Sequence, residues 1–331
     1  MSNKEAFFSI VIPNWNGQHF LKKCLDSIDA QNYRNFEVIV VDNGSKDDSV
    51  EYIAKNYPDT IVEKLPKNIG FAPAVNIGIK KAKGNFIFLL NNDTELDRHF
   101  LTAMEEAESE FPDAGIFASK MLDFADHTII DTCGDKMTWT GRSYKYGELK
   151  KDGEEFNQNY YIFGACAGAS VYRKEVFEAI GLFDEDFFAY LEDVDIDFRS
   201  QLAGFKCVFV PKARVYHIGS ATTGKRSPFG FGLMIKNHWH LIYKNFPTQQ
   251  LILYLPKIFY SDFRFFLAAV RYGFTKDFFK GLFQAISQFP KMIPKRTEIQ
   301  NNRKVSLTYL DSIVDKNFKY KSLSELINGR K

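Results

Sequence analysis

Four carboxylates crowd into six residues at Glu192-Asp193-Val194-Asp195-Ile196-Asp197. Asp193 follows an aromatic and apolar run that includes Phe187, Phe188, Tyr190 and Leu191. A carboxylate held against such walls acts as a general base once burial and neighbours set its pKa. The competing reading is a solvated helix start, where acids favour the dipole; it accounts for Asp195 and Asp197. Asp93 closes a polar stretch, Asn91-Asn92-Asp93, directly after the apolar run FIFLL at 86–90. A carboxylate at that point holds a hard divalent cation, and the cation in turn holds a diphosphate. The alternative is a turn in which Asn and Asp make local hydrogen bonds. Asp42 also ends an apolar run, where a carboxylate accepts hydrogen bonds from a ribose or a base. His217 ends a later run and makes an oxygen–nitrogen pair with Asp93, suited to Mn²⁺ or Mg²⁺ with diphosphate and water completing the shell. Lys225 and Arg226 lie just beyond, on a loop that either closes over a diphosphate or is simply exposed. No G-x-G-x-x-G follows the first apolar run, and there is no Walker A lysine loop.

The elements that must position these groups alternate. Residues 7–13, 36–41 and 86–90 read as buried strands and 60–65 as a further strand. Helical spacing follows each: Phe20, Leu21, Cys24, Leu25 and Ile28; then Val50, Ile53, Ala54 and Tyr57; then Val75, Ile79 and Ala82; then Phe100, Leu101, Met104, Ala107 and Phe111. Ser45 with Asp48 reads as the capping signal of the second helix, and Pro73 suits the first turn of the third. Such alternation means βαβ units and a parallel sheet with helices on both faces. Ligands bind outside the carboxyl ends of such strands, which puts Asp42 and Asp93 on one rim with Asn16 and Gly70.

From about residue 124 the rhythm breaks. Residues 124–160 read as short antiparallel strands or a flap, 162–172 as a glycine-containing strand region and 174–180 as a short helix. Val194, Phe198 and Leu202 predict a helix capped near Gly204, and 205–210 and 214–216 read as two further strands. The remainder is rich in Phe, Tyr, Leu and Ile with Lys and Arg threaded through; Pro256 divides it, and a last helix is expected around Leu307, Leu310, Ile313 and Val314.

The net charge of +2 hides an asymmetry: residues 230–331 carry 17 basic and 6 acidic side chains, whereas residues 1–229 carry 26 and 35. An acidic head with a basic tail implies two different jobs. Arg264 and Arg271 lie two turns apart on one helix face, and interleaved aromatics suit a membrane interface. Four cysteines show no metal-ligand spacing and read as reduced thiols of a cytosolic chain. The start MSNKEAFF lacks the apolar core of a signal peptide, and no apolar run reaches the ~18 residues of a membrane span.

The stretches SIVIPNWNG, VVDNGSKDDS, KNIGFAPAVNIGI, LLNNDTEL, GLFDEDFFAYLEDVDIDFR and VYHIGSAT, in this order over about residues 7–226, resemble family 2 glycosyltransferases, and most nearly their bacterial rhamnosyltransferase-like branch. The resemblance implies a GT-A fold: an α/β chain with a mostly parallel central sheet, helices on both faces and a helical C-terminal region. Residues 1–229 would form the catalytic domain, with a nucleotide-binding half to about 120 and an acceptor half beyond it; 230–331 would form the basic helical region. It implies inverting transfer from a nucleotide-diphosphate sugar, dTDP-rhamnose or a UDP-sugar, to a glycan or lipid-linked glycan in cell-surface polysaccharide synthesis. Asp193 would be the catalytic base with Glu192 beside it. Asp93 would match the last carboxylate of a DxD motif and share the metal with His217. Pro13, Asn16, Asp42, Gly70, Asn76, Asn92, Asp93, Lys225 and Arg226 would bind the nucleotide sugar. Asn91 stands where the first Asp of DxD is often found, so the metal site carries one charge fewer. The expected cofactor is Mn²⁺ or Mg²⁺. The expected setting is the cytoplasm, peripherally on the inner face of the membrane, with no nucleic-acid partner. Two rivals are a nucleotidyltransferase, which would want a basic Gly-rich loop where Asn14-Trp15-Asn16-Gly17 stands, and a scaffold that binds sugar nucleotides without turnover.

Overall fold

The computed structural model describes residues 7–219 and 227–316. The first half alternates as the sequence predicts: β1 (Phe8–Asn14), α1 (Gln18–Asp29), β2 (Phe36–Asp42), α2 (Ser49–Asn56), β3 (Ile61–Lys64), α3 (Phe71–Lys81), β4 (Phe86–Leu90), β5 (Thr94–Leu96), α4 (Phe100–Glu110) and β6 (Ala114–Asp123). Short strands follow, β7 (Ile130–Thr132), β8 (Asp135–Met137), β9 (Ser143–Lys145) and β10 (Tyr160–Ile162), then β11 (Ala169–Arg173), α5 (Lys174–Ile180), α6 (Glu192–Leu202) and β12 (Lys206–His217). The chain continues through α7 (Pro228–Asn245), α8 (Thr248–Tyr272), α9 (Thr275–Asn301) and α10 (Leu307–Ile313).

The main sheet runs β10-β12-β6-β11-β4-β1-β2-β3, with β5 on β12 and β7 on β6. β3, β2, β1 and β4 are parallel neighbours; β11 then enters antiparallel between β4 and β6, and β6 pairs parallel with β12. Successive strand side chains point to opposite faces, so each strand feeds two cores. Phe8, Ile10, Ile12, Phe86, Phe88 and Leu90 pack on α1 and α4, whereas Val11, Ile87 and Leu89 pack on α3. Burial on both faces is why β4 is an unbroken apolar run.

A third cluster, with Trp139, Phe187, Phe198, Leu241, Phe246 and Leu310, joins α6 to the C-terminal helices. Charge reinforces it. Lys244 of α7 is buried and pairs with Asp184 and, at 2.9 Å, with Asp195, which also takes Arg199 at 2.9 Å. α7 and α9 approach closely at two glycines: a Cβ on Gly281 would lie 2.3 Å from the Gly232 carbonyl oxygen.

Several sequence expectations change. Asp195 and Asp197 are fully buried rather than solvated; cations and a backbone N–H take the place of water. Ser45 does not cap α2, whose N-cap is Asp48, because its hydroxyl already accepts from the Asn16 N–H across the rim. The segment 94–97 forms β5 before α4 begins, since Thr94–Leu96 finds β12 as a partner. Residues 205–210 and 214–216 belong to one strand, β12, with an irregularity between Val210 and Arg214. Pro256 lies inside α8 on its exposed face, where the carbonyl it leaves without an N–H opens to water. Arg264 is buried while Arg271 is exposed, so the two do not share a solvent face.

Burial alone would raise the carboxyls of Asp184 and Asp195, but Lys244, with Lys295 at the first and Arg199 at the second, outweighs it and holds both below their ordinary value. Lys244→Met strands two buried acids. Urea unfolding at neutral pH should show a loss of about 3–5 kcal/mol, the scale for breaking a buried ion pair. A depressed carboxyl contributes stability above its unfolded pKa and loses it as pH falls through the folded one. The gap between variant and wild type should therefore narrow as pH drops below the ordinary 3.8; a gap independent of pH would rule out this ionic tie.

Candidate active site

The carboxyl ends of β1, β2 and β4 form one polar rim. Asn14 is its hub: its amide donates to Asp42 Oδ1 at 3.1 Å and its Oδ1 accepts from Asn92 Nδ2 at 2.7 Å. Asp42 is buried and also accepts from the Ser45 N–H at 3.1 Å. Gly17 lets this turn close, because a Cβ there would sit 2.1 Å from the Asn92 amide nitrogen. Asn16 is exposed beside it, with φ +51°, and its Oδ1 accepts from the Lys46 N–H. The Gly70 carbonyl accepts from Asn43 at 2.9 Å, which brings the α3 N-terminus to the same rim. Pro13 is half-buried one residue before Asn14. Asn76 is differently employed: its amide holds the Phe183 backbone from both sides, at 2.8 and 3.0 Å, and donates to Glu185.

β5 and β12 bring Asp93 and His217 together. Thr94 is the register partner of His217, and the Ile218 N–H donates to the Asp93 carbonyl. His217 Nε2 stands 3.5 Å from Asp93 Oδ1, while its Nδ1 is 2.8 Å from Asp131 Oδ2 on β7. Lys145 on β9 pairs with the other Asp131 oxygen at 2.7 Å. Burial pulls the imidazole down, but Asp131 and Asp93 outweigh it and raise it to about 9. Asp131 is held down at about 2, burial being overcome by His217 and Lys145. No group of three acidic, His or Cys ligands exists among the described residues. Asp93 and His217 nonetheless suit Mn²⁺ or Mg²⁺, since such ions keep several waters and take substrate phosphates. A carboxylate on the far nitrogen of a ligating histidine is the usual support for that role.

The third part is the start of α6. Phe188, Tyr190 and Leu191 all adopt positive φ, at 66°, 69° and 65°. Each such L-residue costs roughly 1–2 kcal/mol, so the turn persists because its surroundings fix it. It delivers Glu192 and Asp193 to the helix N-terminus, where the dipole favours acids. Asp193 is half-buried and accepts from the Val194 N–H at 2.8 Å and the Ala167 N–H at 3.3 Å. Glu192 is buried, with one carboxyl oxygen lacking any partner among the described residues. Burial, then Asp193, pushes Glu192 up to about 8; the same two causes push Asp135 to about 8 and Asp197 well above its ordinary range. Asp193 is raised too, chiefly by burial, but its two N–H donors favour the ionised form. Among the clustered acids, Asp193 is thus the one whose carboxylate form receives two backbone donors.

The rim, the Asp93–His217 pair and the Glu192–Asp193 start were all visible in the sequence. Lys225 and Arg226 lie outside the described residues. Asp131, Asp135 and Lys145 were missed. They sit on three-residue strands inside the stretch read only as short strands or a flap, and the alternation of acids at Asp131 and Asp135 was the one signal available.

Residues 9–181, just over half the chain, match the family model described as Glycosyl transferase family 2. An uncharacterized glycosyltransferase of Rickettsia prowazekii (strain Madrid E) is 29% identical over 195 residues, 58% of this chain and 57% of its own length. The chain thus spans little more than half of that relative. An N-acetylglucosaminyl-diphospho-decaprenol L-rhamnosyltransferase of Mycobacterium tuberculosis (strain ATCC 25618 / H37Rv) is 25% identical over 237 residues, 63% of this chain and 75% of its own. Two solved structures share the fold. GalNAc-T7 with UDP, GalNAc and Mn²⁺ aligns with TM-score 0.62 at 17% identity, covering 92% of this chain and 59% of that one. Mannosyltransferase PcManGT from Pyrobaculum calidifontis, in complex with GDP-Man and Mn²⁺, aligns with TM-score 0.52 at 15% identity, covering 94% and 86%.

The His217 network has a direct spectroscopic consequence. In metal-free protein, ring-carbon NMR should show His217 titrating near 9, and Asp131→Asn should bring it down. An imidazole titrating at the ordinary 6.5 would mean the two carboxylates do not face it in solution.

Proposed function

Because the chain belongs to glycosyl transferase family 2, we propose that it moves a sugar, with inversion, from a nucleoside-diphosphate donor to a hydroxyl of a glycan or lipid-linked glycan. The donor in this reading is dTDP-rhamnose or a UDP-sugar, and the product enters cell-surface polysaccharide. The observation that carries it is Asp193, held at the start of α6 by two backbone N–H donors, on the same molecule as a carboxylate–histidine pair at the strand ends. The name of the mycobacterial relative supports a rhamnosyl donor and a lipid-linked acceptor. In this reading residues 1–120 hold the donor, 121–229 the acceptor, and 230–331 the setting.

Asp193 takes the proton of the acceptor hydroxyl as its oxygen attacks C1 of the sugar. The C1–oxygen bond to the diphosphate breaks on the opposite face, and the nucleoside diphosphate leaves with the electron pair. One base and no protein nucleophile give a single displacement, hence inversion, by the logic of one-face attack in inverting glycosidases. Asp42, Asn16 and Gly70 line the nucleotide's rim; Asn76 and Asn92 shape it through the 183–185 turn and Asn14. Asp93 and His217 would hold Mn²⁺ or Mg²⁺. Such an ion supplies positive charge for the departing diphosphate. Lys225 and Arg226 extend the same positive field in this proposal.

The proposed setting is the cytoplasmic membrane surface. No helix among the described residues is long and apolar enough to cross a membrane. α8 and α9 nevertheless expose large apolar side chains in helical register, Ile252, Phe259, Phe263 and Val270 on one and Phe279, Phe283, Ile286 and Ile293 on the other. Exposed Lys257, Arg271, Lys276 and Lys280 belong to the same helices. An apolar face with a basic border suits an anionic lipid interface, each basic residue adding about 1 kcal/mol near it.

Asp193→Asn keeps size and removes basicity. Donor binding by calorimetry should survive while kcat falls at least ~10²-fold, the scale of a lost general base. Wild-type kcat/KM should rise with pH through an ionisation above the ordinary carboxylate range, and the variant should lose that rise. Asp93→Ala should abolish Mn²⁺-dependent donor binding; unchanged affinity would remove Asp93 from the metal. On vesicles, full-length protein should float with anionic lipid at low salt, and high salt should weaken but not abolish flotation because apolar contact is not screened. Phe263→Ser with Phe283→Ser should stay at the bottom of the gradient. Wild-type protein that never floats would remove the membrane from the proposal.

A further inference from the structure

The turn that aims Asp193 is held by a residue far along the chain. Asn237 of α7 is fully buried, and its amide nitrogen lies 3.0 Å from the Phe187 carbonyl, 2.9 Å from that of Ala189 and 2.7 Å from that of Tyr190. The nitrogen must be the end that faces them, since an oxygen would meet three carbonyl oxygens. The two flanking carbonyls on the same turn are also taken. Lys236 donates to the Asp186 carbonyl at 2.5 Å, and the Phe71 and Ala72 N–H groups donate to that of Phe188 at 2.6 and 3.2 Å. Every carbonyl from 186 to 190 therefore has a donor, and the two hydrogens of the Asn237 amide are shared among the three that face it.

Within the turn only the Phe187 carbonyl is served, by the Ala189 N–H at 2.8 Å; those of Ala189 and Tyr190 depend on outside donors. With Phe188, Tyr190 and Leu191 at positive φ, the chain follows no helix or ladder; its carbonyls at 187, 189 and 190 face α7, and that of Phe188 faces the start of α3. Buried carbonyls without partners are costly, so an alternative turn with ordinary φ becomes competitive once the donor is lost. The turn ends at Leu191, whose carbonyl starts α6 by accepting from the Asp195 N–H. Any relaxation there shifts the first residues of α6, which are Glu192 and Asp193.

We propose that Asn237 is a positioning residue for the reaction: it clamps the strained turn 187–191 and thereby fixes where the Asp193 carboxylate stands. It touches neither donor nor acceptor. The proposal rests on Asp193 being the base, so its test carries one arm that does not depend on turnover.

Full-length Asn237→Ala and Asn237→Asp are compared with wild type and with Asp193→Asn. The Asp change keeps size and sets acceptor oxygens against the three carbonyls. Both Asn237 variants should lower kcat by roughly 10- to 10²-fold, the scale of a ~1 Å misplacement, with donor KM within about 2-fold of wild type. In hydrogen exchange, amides of 188–195, and those of Phe71 and Ala72 that rest on the Phe188 carbonyl, should exchange faster in both, with α1, α2 and α4 unchanged. Asp193→Asn should leave that exchange pattern as in wild type. Near-normal kcat in folded Asn237→Ala would overturn the proposal. So would faster exchange spread evenly over α7 and α9, which marks a residue that only stabilises helix packing. If wild-type protein transfers no sugar from any donor, the functional reading fails, while the exchange arm still decides whether Asn237 holds the turn. Should Asn237→Ala not fold, Asn237→Ser keeps a smaller donor. It is expected to show an intermediate loss in kcat and intermediate exchange, and wild-type values in both would count against the clamp.

Discussion

The buried ammonium of Lys244, set between Asp184 and Asp195, is the contact on which the packing of α6 against the C-terminal helices depends. A charge placed there has no water to turn to, so only opposite charge at close range makes it tolerable. That requirement fixes three pieces of chain at once: the turn after α5, the middle of α6 and the end of α7. Arg199 extends the constraint by reaching from Asp195 to the carbonyls of Ile180 and Leu182, which close α5. Because α6 begins with Glu192 and Asp193, the tie also sets the register of the candidate base.

Polar residues around the rim divide by whether the fold has already used them. Asn14, Asp42, Asn43 and Asn76 are buried and spend their hydrogen bonds on neighbouring loops. Asn16 and Asp193 keep contact with solvent. The first group makes a stiff frame at the strand ends, and the second stands where a ligand would meet it. Preorganisation of this sort is what lets a site act on charge as it develops, without first reorganising itself.

Local signals made the parallel half of the sheet legible. FIFLL followed by Asn91-Asn92-Asp93 announces a buried strand and its polar end within eight residues, and β4 with Asp93 stands there. Val194, Phe198 and Leu202 announced α6 in the same way. The burial of Asp195 could not be read, because its partner Lys244 lies on another helix well downstream. Asp131 and Lys145 escaped for a related reason: β7 and β9 are three residues long and exist through their neighbours rather than through their own pattern. Pro256 misled because a helix breaker is tolerated on an open face. What local periodicity encodes was readable; what distant chain supplies was not.

The antiparallel β11 has a consequence for how the chain reaches this state. β6 joins the parallel strands only through β11, which pairs with β4 on one side and β6 on the other. β11 leaves the ribosome well after β6, so a growing chain carries the open edge of β4 and a β6 met only at its end by the short β7 until it arrives. The parallel strands β1 to β4 can assemble early, but the sheet as a whole closes late, through contacts distant in sequence. Loop closure of that kind slows folding, and the waiting edge is a template for pairing with another chain. Newly made protein is thus most exposed to aggregation during the interval between residues 123 and 169, a window set by strand order rather than by the stability of the finished molecule.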